Sequence, residues 1–287
     1  MASMRDIKRR KSSIQGTQQI TKAMKLVSTV KLQRSRANAE RSKEYFNAMY
    51  ETVKSILQRV GHVEHRYLTA DSSARKAVVA ITANRGLAGG YNTNVVKLVT
   101  RHPDWKPEDL VIYSIGGKGK EAFVRYGYDV RELNGDIVEN PQFTDAMAIS
   151  KELLRAYAEG EIGEIYLAYT SFKNTVSHIP TLLKLLPVEL EENEKENVSE
   201  AKAIMNFEPE DVEALDLIIP KYITSLIYGA LMEAVASENG ARMQAMDNAT
   251  SNAEEMINDL SLKYNRARQG SITQELTEII AGADAIG

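Results

Sequence analysis

Residues 3–60 read SMRDIKRRKSSIQGTQQITKAMKLVSTVKLQRSRANAERSKEYFNAMYETVKSILQRV. No proline interrupts them, because all seven prolines of the chain lie between Pro103 and Pro220. The stretch is therefore free to form one long helix. Ser3-Met4-Arg5-Asp6 has the form of a capping box, and Gly61 offers a stop. The second half carries Phe46, Met49, Tyr50, Val53, Ile56, Leu57 and Val60, the i, i+3, i+4, i+7 spacing of an apolar stripe. The first half is sparser, with Ile7, Ile14, Ile20, Met24, Val27 and Val30. So thin a stripe on so long a helix does not suit an ordinary core helix. It points to one strand of a coiled coil.

Residues 210–285 supply a second helix of this kind. Its stripe runs from Ile223 and Leu226 through Ala230, Ala234, Ala245 and Ala249 to Ile257, Leu260 and Tyr264. The alanines in the middle let a neighbouring helix approach closely. At ~1.5 Å per residue the two helices span about 85 and 110 Å, more than the diameter of a compact domain of this mass.

The prolines fall in a middle region that alternates. Strands are expected at Lys76–Ala83, Leu110–Ile115, Tyr128–Leu133, Glu164–Ser171 and Thr175–Val188. Helices are expected at Asn92–His102, Lys118–Tyr126 and Thr144–Glu159, the last capped by Thr144. This alternation implies a mostly parallel sheet with helices on its faces, an α/β fold. Glu189–Glu200 is acidic and lacks an apolar stripe, which reads as a solvated loop.

The composition, 43% hydrophobic and 26% charged, can fill a core. With no cysteine, disulfides and thiolate metal sites are excluded. No apolar run approaches the ~18 residues of a transmembrane helix, and the N-terminus lacks the apolar stretch of a signal peptide. Attachment to a membrane is expected only through partners. The net charge of −3 hides an asymmetry: residues 1–43 hold twelve Lys or Arg against Asp6 and Glu40. That is either a solvated helix face or a surface that meets a polyanion or an acidic protein.

Three motifs invite a catalytic reading. Arg85-Gly86-Leu87-Ala88-Gly89-Gly90 and Gly116-Gly117-Lys118-Gly119-Lys120 both follow strands, where glycine turns often cradle phosphates. Neither has the GxGxxG or GxxxxGK[ST] spacing, so a plain tight connection competes with a phosphate loop. His62-Val63-Glu64-His65 could begin a metal site, but only His102 and His178 remain to complete it. No nucleophile–base set assembles. A nucleotide-dependent enzyme stays open as an alternative reading. A basic coiled coil that binds nucleic acid is disfavoured, because the N-terminal basic stretch has no interleaved aromatics before Tyr45.

The C-terminal segment Gln269–Ala285, QGSITQELTEIIAGADA, is similar to the signature of F-type ATP synthase gamma subunits: Ile-Thr-x-Glu, an acid three residues later, then Gly-Ala. Thr17–Val27 (TQQITKAMKLV), Ser237-Glu238 and Ala241–Thr250 (ARMQAMDNAT) resemble the same family independently. Arg85–Asn92 resembles its first strand-to-helix loop, with Ala88 where cysteine is frequent and Asn84 where aspartate is frequent. The resemblance covers essentially the whole chain.

It implies an antiparallel coiled coil of the terminal helices, 1–60 with 209–287, and a central Rossmann-like α/β domain, 61–208, without a nucleotide site. It implies no catalysis, no cofactor and no metal. The implied role is the rotor shaft of the complex, inside a ring of three alpha and three beta subunits. A single asymmetric chain there touches each beta subunit differently and stabilises a different conformation at each catalytic site. Implied ring contacts are Met24, Lys25, Arg242, Gln269, Thr273, Glu275 and Glu278. Phe207 and Glu208 are implied contacts of the foot with the epsilon subunit and the c-ring. The implied place is the cytoplasmic side of the cell membrane, held there by partners. The family's beta subunits present an acidic segment to the shaft, which would give the basic N-terminal helix its target.

Overall fold

The computed structural model describes residues 4–60, 65–69, 74–188 and 211–284. Ten principal elements follow in chain order: α1 (Met4–Val60), β1 (Arg75–Ile81), α2 (Tyr91–Thr100), β2 (Leu110–Ile115), α3 (Gly117–Arg125), β3 (Asp129–Glu132), α4 (Phe143–Ala158), β4 (Ile162–Phe172), β5 (His178–Leu186) and α5 (Asp211–Asp284). Ser3, Gly61, Glu189–Glu200, Phe207 and Glu208 lie outside the described residues. The chain divides into two compact units. One is Met1–Thr29 with Arg242–Gly287, and the other is Val30–Ala241, so both terminal helices contribute to both.

The larger unit is built on one five-stranded sheet in the order β3-β2-β1-β4-β5. Strands β1 to β4 are parallel, and β5 runs antiparallel to β4. Val78 of β1 sits between Ile112 of β2 and Tyr166 of β4. Both faces are covered, which is why β1 and β2 read as continuous apolar runs and not as alternating ones. On one face Val79, Ile81, Tyr113 and Leu167 pack with Leu153 of α4 and Leu215, Ile219 and Ile223 of α5. On the other, Val78 and Ile112 pack with Val95 and Val99 of α2, Phe123 of α3 and Trp105.

Local chemistry sets the element ends. Gln142, not Thr144, precedes the first turn of α4: its backbone N–H donates to Asp145 Oδ2 at 2.9 Å, closing the turn from inside. Strand β5 begins at His178 and not at Thr175. Asn174 Oδ1 accepts from the N–H groups of Val176 (2.9 Å) and Ser177 (2.7 Å), which fixes the connection as an Asx-type turn. Pro220 lies inside α5, where it removes one N–H from the helix ladder.

One 18-residue stretch of α5 is long and apolar enough by composition to cross a membrane, contrary to the expectation from run length. Its share buried inside the protein is 61%, the behaviour of a core helix: Ile223, Ile227, Leu231 and Ala234 of α5 sit in the sheet's core.

In the smaller unit α1 and α5 pair antiparallel. Thr21 Oγ1 and Thr250 Oγ1 share a hydrogen bond of 2.8 Å, and Lys25 Nζ donates to Asp247 Oδ1 at 2.6 Å. Four residues forward on α1 is three back on α5.

Candidate functional site

In an open α/β sheet, ligands bind outside the carboxyl ends of the strands where the strand order reverses. Here that place lies between β1 and β4. The sequence sets two glycine-rich turns near it, and the structure shows where their donors go.

After β2, Gly117 N–H donates to Asn84 Oδ1 (3.0 Å), Lys118 N–H to Ala83 O (3.0 Å) and Gly119 N–H to Thr82 Oγ1 (2.9 Å). These are the first N–H groups of α3, the donors a phosphate would need. All three are committed inside the protein. Lys118 pairs with Glu121 at 2.7 Å, and Lys120 pairs with Glu132. After β1, Asn92 Oδ1 accepts from Ala83 N–H at 2.8 Å, which pins that loop from within. The crevice itself is filled by the chain's own helix. Ala241 of α5 packs on Ala83, Ala88 and Tyr91, and a Cβ added at Gly240 would lie 2.5 Å from His178 Nε2.

The possible metal motif resolves in the same way. His65 is buried, and its Nε2 lies 3.3 Å from Asp216 Oδ1 on α5. Its Nδ1 accepts from Tyr67 N–H at 3.3 Å. Both ring nitrogens are engaged, and Arg66 holds the same Asp216 carboxylate at 2.8 Å. His62 and Glu64 lie outside the described residues.

The surface of the helix pair differs from a catalytic cleft. On α1, the positions turned toward α5 in the smaller unit are Ile7, Lys11, Ile14, Gln18, Thr21, Lys25 and Ser28, at alternating steps of four and three residues. That is a heptad seam, and most of its members are polar. On α5 the matching positions are Met246, Thr250, Ala253, Ile257, Leu260 and Tyr264. The apolar residues expected to form the seam of α1 are split. Ile7 and Ile14 face it. Ile20 and Val27, with Leu26 beside them, are 59–62% exposed, as is Val30 further along α1. Small partners such as Ala253 and Thr250 let short polar side chains close the seam, so the hydrophobic count on α1 misplaced it. Ile20, Ala23 and Val27 repeat the 3-4 step two residues out of phase with Gln18, Thr21 and Lys25. That second series was the signal for an outward apolar face.

The expected contact residues fall in several settings. Met24 and Arg242 are half-buried. Lys25 is bound across the seam to Asp247. Gln269, Thr273, Glu275 and Glu278 are exposed on the last turns of α5. Thr273 Oγ1 donates to Gln269 O at 2.9 Å, and Gln274 Nε2 donates to Glu278 Oε1 at 2.9 Å. In the seam register Met4 falls opposite about residue 268, since both helices rise equally per residue. Beyond it Ile272, Leu276, Ile279 and Ile280 form one stripe, each 48–68% exposed. Among the described residues this stripe has no covering element.

The register is open to a direct check, because the native chain has no cysteine. A Thr21→Cys, Thr250→Cys double variant is expected to close a disulfide under mild oxidation, seen as a gel shift reversed by reductant. A Thr21→Cys, Ile257→Cys pair, one heptad away, is expected not to close. The opposite pattern would show the register to be wrong.

The ATP synthase family model matches residues 3–286. The ATP synthase gamma chain of Lachnoclostridium phytofermentans is 62% identical over 291 residues, covering 100% of both chains. The sodium ion specific ATP synthase gamma chain of Acetobacterium woodii is 39% identical, covering 99% of each. Among solved structures, a chain of the Euglena gracilis mitochondrial ATP synthase (OSCP/F1/c-ring) superposes with a TM-score of 0.68 at 18% identity, covering 99% of this chain and 94% of that one. That match supports the fold: a largely parallel sheet joined to long terminal helices. By family model and by full-length similarity, the chain belongs to the ATP synthase gamma chain family.

Proposed function

We propose that the chain is the non-catalytic rotor shaft of an F-type ATP synthase. It sits in a ring of three alpha and three beta subunits and is held at the cytoplasmic face of the cell membrane by the c-ring and the epsilon subunit. Proton-driven rotation of the c-ring turns it, and its asymmetry passes the three catalytic sites through their states in sequence. ATP hydrolysis turns it in reverse and pumps protons.

The observation that carries this reading is the end of α5. A stripe of Ile272, Leu276, Ile279 and Ile280 stays exposed beyond the last seam contact, on a segment with the family's signature. A helix with an apolar stripe and no internal partner needs a protein surface to cover it. The collar of the alpha-beta ring is the proposed cover, with Gln269, Thr273, Glu275 and Glu278 as polar contacts around it. The outward face of α1 at Ile20, Ala23 and Val27, with Met24 and Arg242 nearby in sequence or register, is a second proposed ring contact. Lys25 contributes by tying α1 to α5. Phe207 and Glu208 remain proposed contacts of the foot.

The direct experiment is affinity purification of the tagged chain from its own cells. Co-purification of alpha- and beta-type ATPase subunits in a 3:3:1 ratio is expected, and their absence would defeat the proposal. A nucleotide-dependent enzyme makes the opposite forecast for the isolated chain. Because the α3 donors are already bonded internally, equilibrium dialysis with labelled ATP is expected to find no binding at micromolar concentration. Micromolar binding lost on altering Lys118 and Lys120 would favour the enzyme.

A further inference from the structure

The contact between α5 and the β4–β5 hairpin contains a group that the proposed role leaves unexplained. His178 opens β5, directly across from Phe172 at the end of β4, with ring centroids 6.0 Å apart. Its Nε2 is buried and has no hydrogen-bond partner. It faces the backbone of α5 at Gly240, where even a methyl group would come within 2.5 Å. Ser237 Oγ, one turn earlier on α5, and Thr170 Oγ1, two residues before Phe172 on β4, are also buried and unbonded. Neither bonds to His178. One further turn back, Glu233 Oε2 accepts the Phe172 N–H at 3.2 Å, tying α5 to the same strand end.

We propose that His178 is an acid-sensitive latch. The neutral imidazole seats α5 against the hairpin, and the imidazolium loosens that seat. A neutral ring whose Nε2 carries only a lone pair can lie against Gly240 at modest cost. Protonation puts a charged N–H at a buried position where the ring has no hydrogen-bond partner, which is unfavourable. Burial holds the His178 pKa below its ordinary value. Several charged groups share the packed elements. Glu233 is committed to the Phe172 amide and lies beside Tyr169, whose phenol is pushed up to about 12 by burial and then by that carboxylate. The others along the packed elements are Glu238 and Arg242 on α5, Lys173 in the hairpin and Lys97 on α2.

The sign follows from linkage. The unfolded or undocked state takes up the proton more readily than the docked state. The latch is therefore at full strength above the ordinary histidine pKa of about 6.5 and weakens as pH falls below it. Each unit of difference between the two pKa values changes the docking equilibrium about tenfold. The contact lies wholly within the chain and does not depend on the rotor role.

The test is amide hydrogen exchange of the full chain at pH 7.5 and 5.5, corrected for intrinsic rates, with NMR titration of the four histidines. Protection around residues 233–241 and 172–180 is expected to fall several-fold at the lower pH, with His178 titrating below the ordinary value. His178→Gln, neutral throughout, is expected to keep its protection across that range. An equal acid-induced loss in His178→Gln would overturn the proposal. If that variant does not fold, the native chain still decides: a His178 that titrates at or above the ordinary value rules the latch out.

Discussion

Deleting residues 268–287 is expected to leave the isolated subunit folded, with its melting temperature within about 4 °C of the full chain. The same deletion is expected to weaken its hold on the alpha-beta ring at least about tenfold and to reduce ATP-driven proton pumping of the reconstituted complex accordingly. The two halves of this result have one cause. The last turns of α5 lie past the end of the seam, and their apolar side chains are exposed in the chain itself. Removing them takes away little buried surface, and a change under ~1 kcal/mol moves the melting temperature of a chain this size by only about 2–4 °C. In the proposed seat within the ring the same side chains would gain a partner. Full burial of one Ile or Leu is worth about 1.5–3 kcal/mol, so even partial burial of four exceeds the 1.4 kcal/mol of a tenfold change in affinity. Thermal unfolding of the subunit and proton pumping by the complex are the paired measurements. A drop of 10 °C or more would mean that the tip belongs to the chain's own core, and the proposed contact with the ring's collar would be lost.

Much of this architecture was legible in the sequence, for physical reasons that differ from element to element. The strand Leu110–Ile115 was readable to the residue, because a strand buried on both faces is a short apolar run bounded by breakers. The long helices were readable because proline is confined to the middle of the chain and Pro220 comes within the first turns of α5. The seam of α1 was not. Its positions are held by Gln18, Thr21, Lys25 and Ser28, and hydrophobicity counts the outward Ile20 and Val27 instead. A polar seam is visible only with its partner, since Lys25 fits because Asp247 faces it and Thr21 fits because Thr250 does. The His178–Gly240 contact was silent for a similar reason: the two residues lie 62 positions apart and carry no motif.

The glycine turns show how one sequence feature can serve fold or ligand, and Gly116→Ala separates the two. Gly116 has φ +94, and an added Cβ would fall 2.1 Å from the carbonyl oxygen of Thr82 and 2.7 Å from its carbon. Both are backbone atoms of the chain leaving β1, so neither can rotate away. Left-handed backbone strain in a non-glycine residue costs about 1–3 kcal/mol, and overpacking a rigid neighbour costs about as much again. The sum, about 2–6 kcal/mol, is a large part of the 5–15 kcal/mol that stabilises a typical domain. A fall in melting temperature of about 5–20 °C is expected, or failure to accumulate as folded protein. Two controls set the scale. Gly127→Ala carries positive φ (+81) but meets nothing within 4 Å, so only the strain is expected. Gly86→Ala meets nothing and has no positive φ, so its stability is expected within about 0.5 kcal/mol of the native chain. A phosphate-binding turn would behave differently. Gly86→Ala would spare folding yet abolish stabilisation by added nucleotide, and the native chain would melt at higher temperature with ATP than without it. The fold reading forecasts no ATP-dependent shift in the native chain and a loss concentrated at Gly116, where two connections of the sheet approach too closely for any side chain to stand between them.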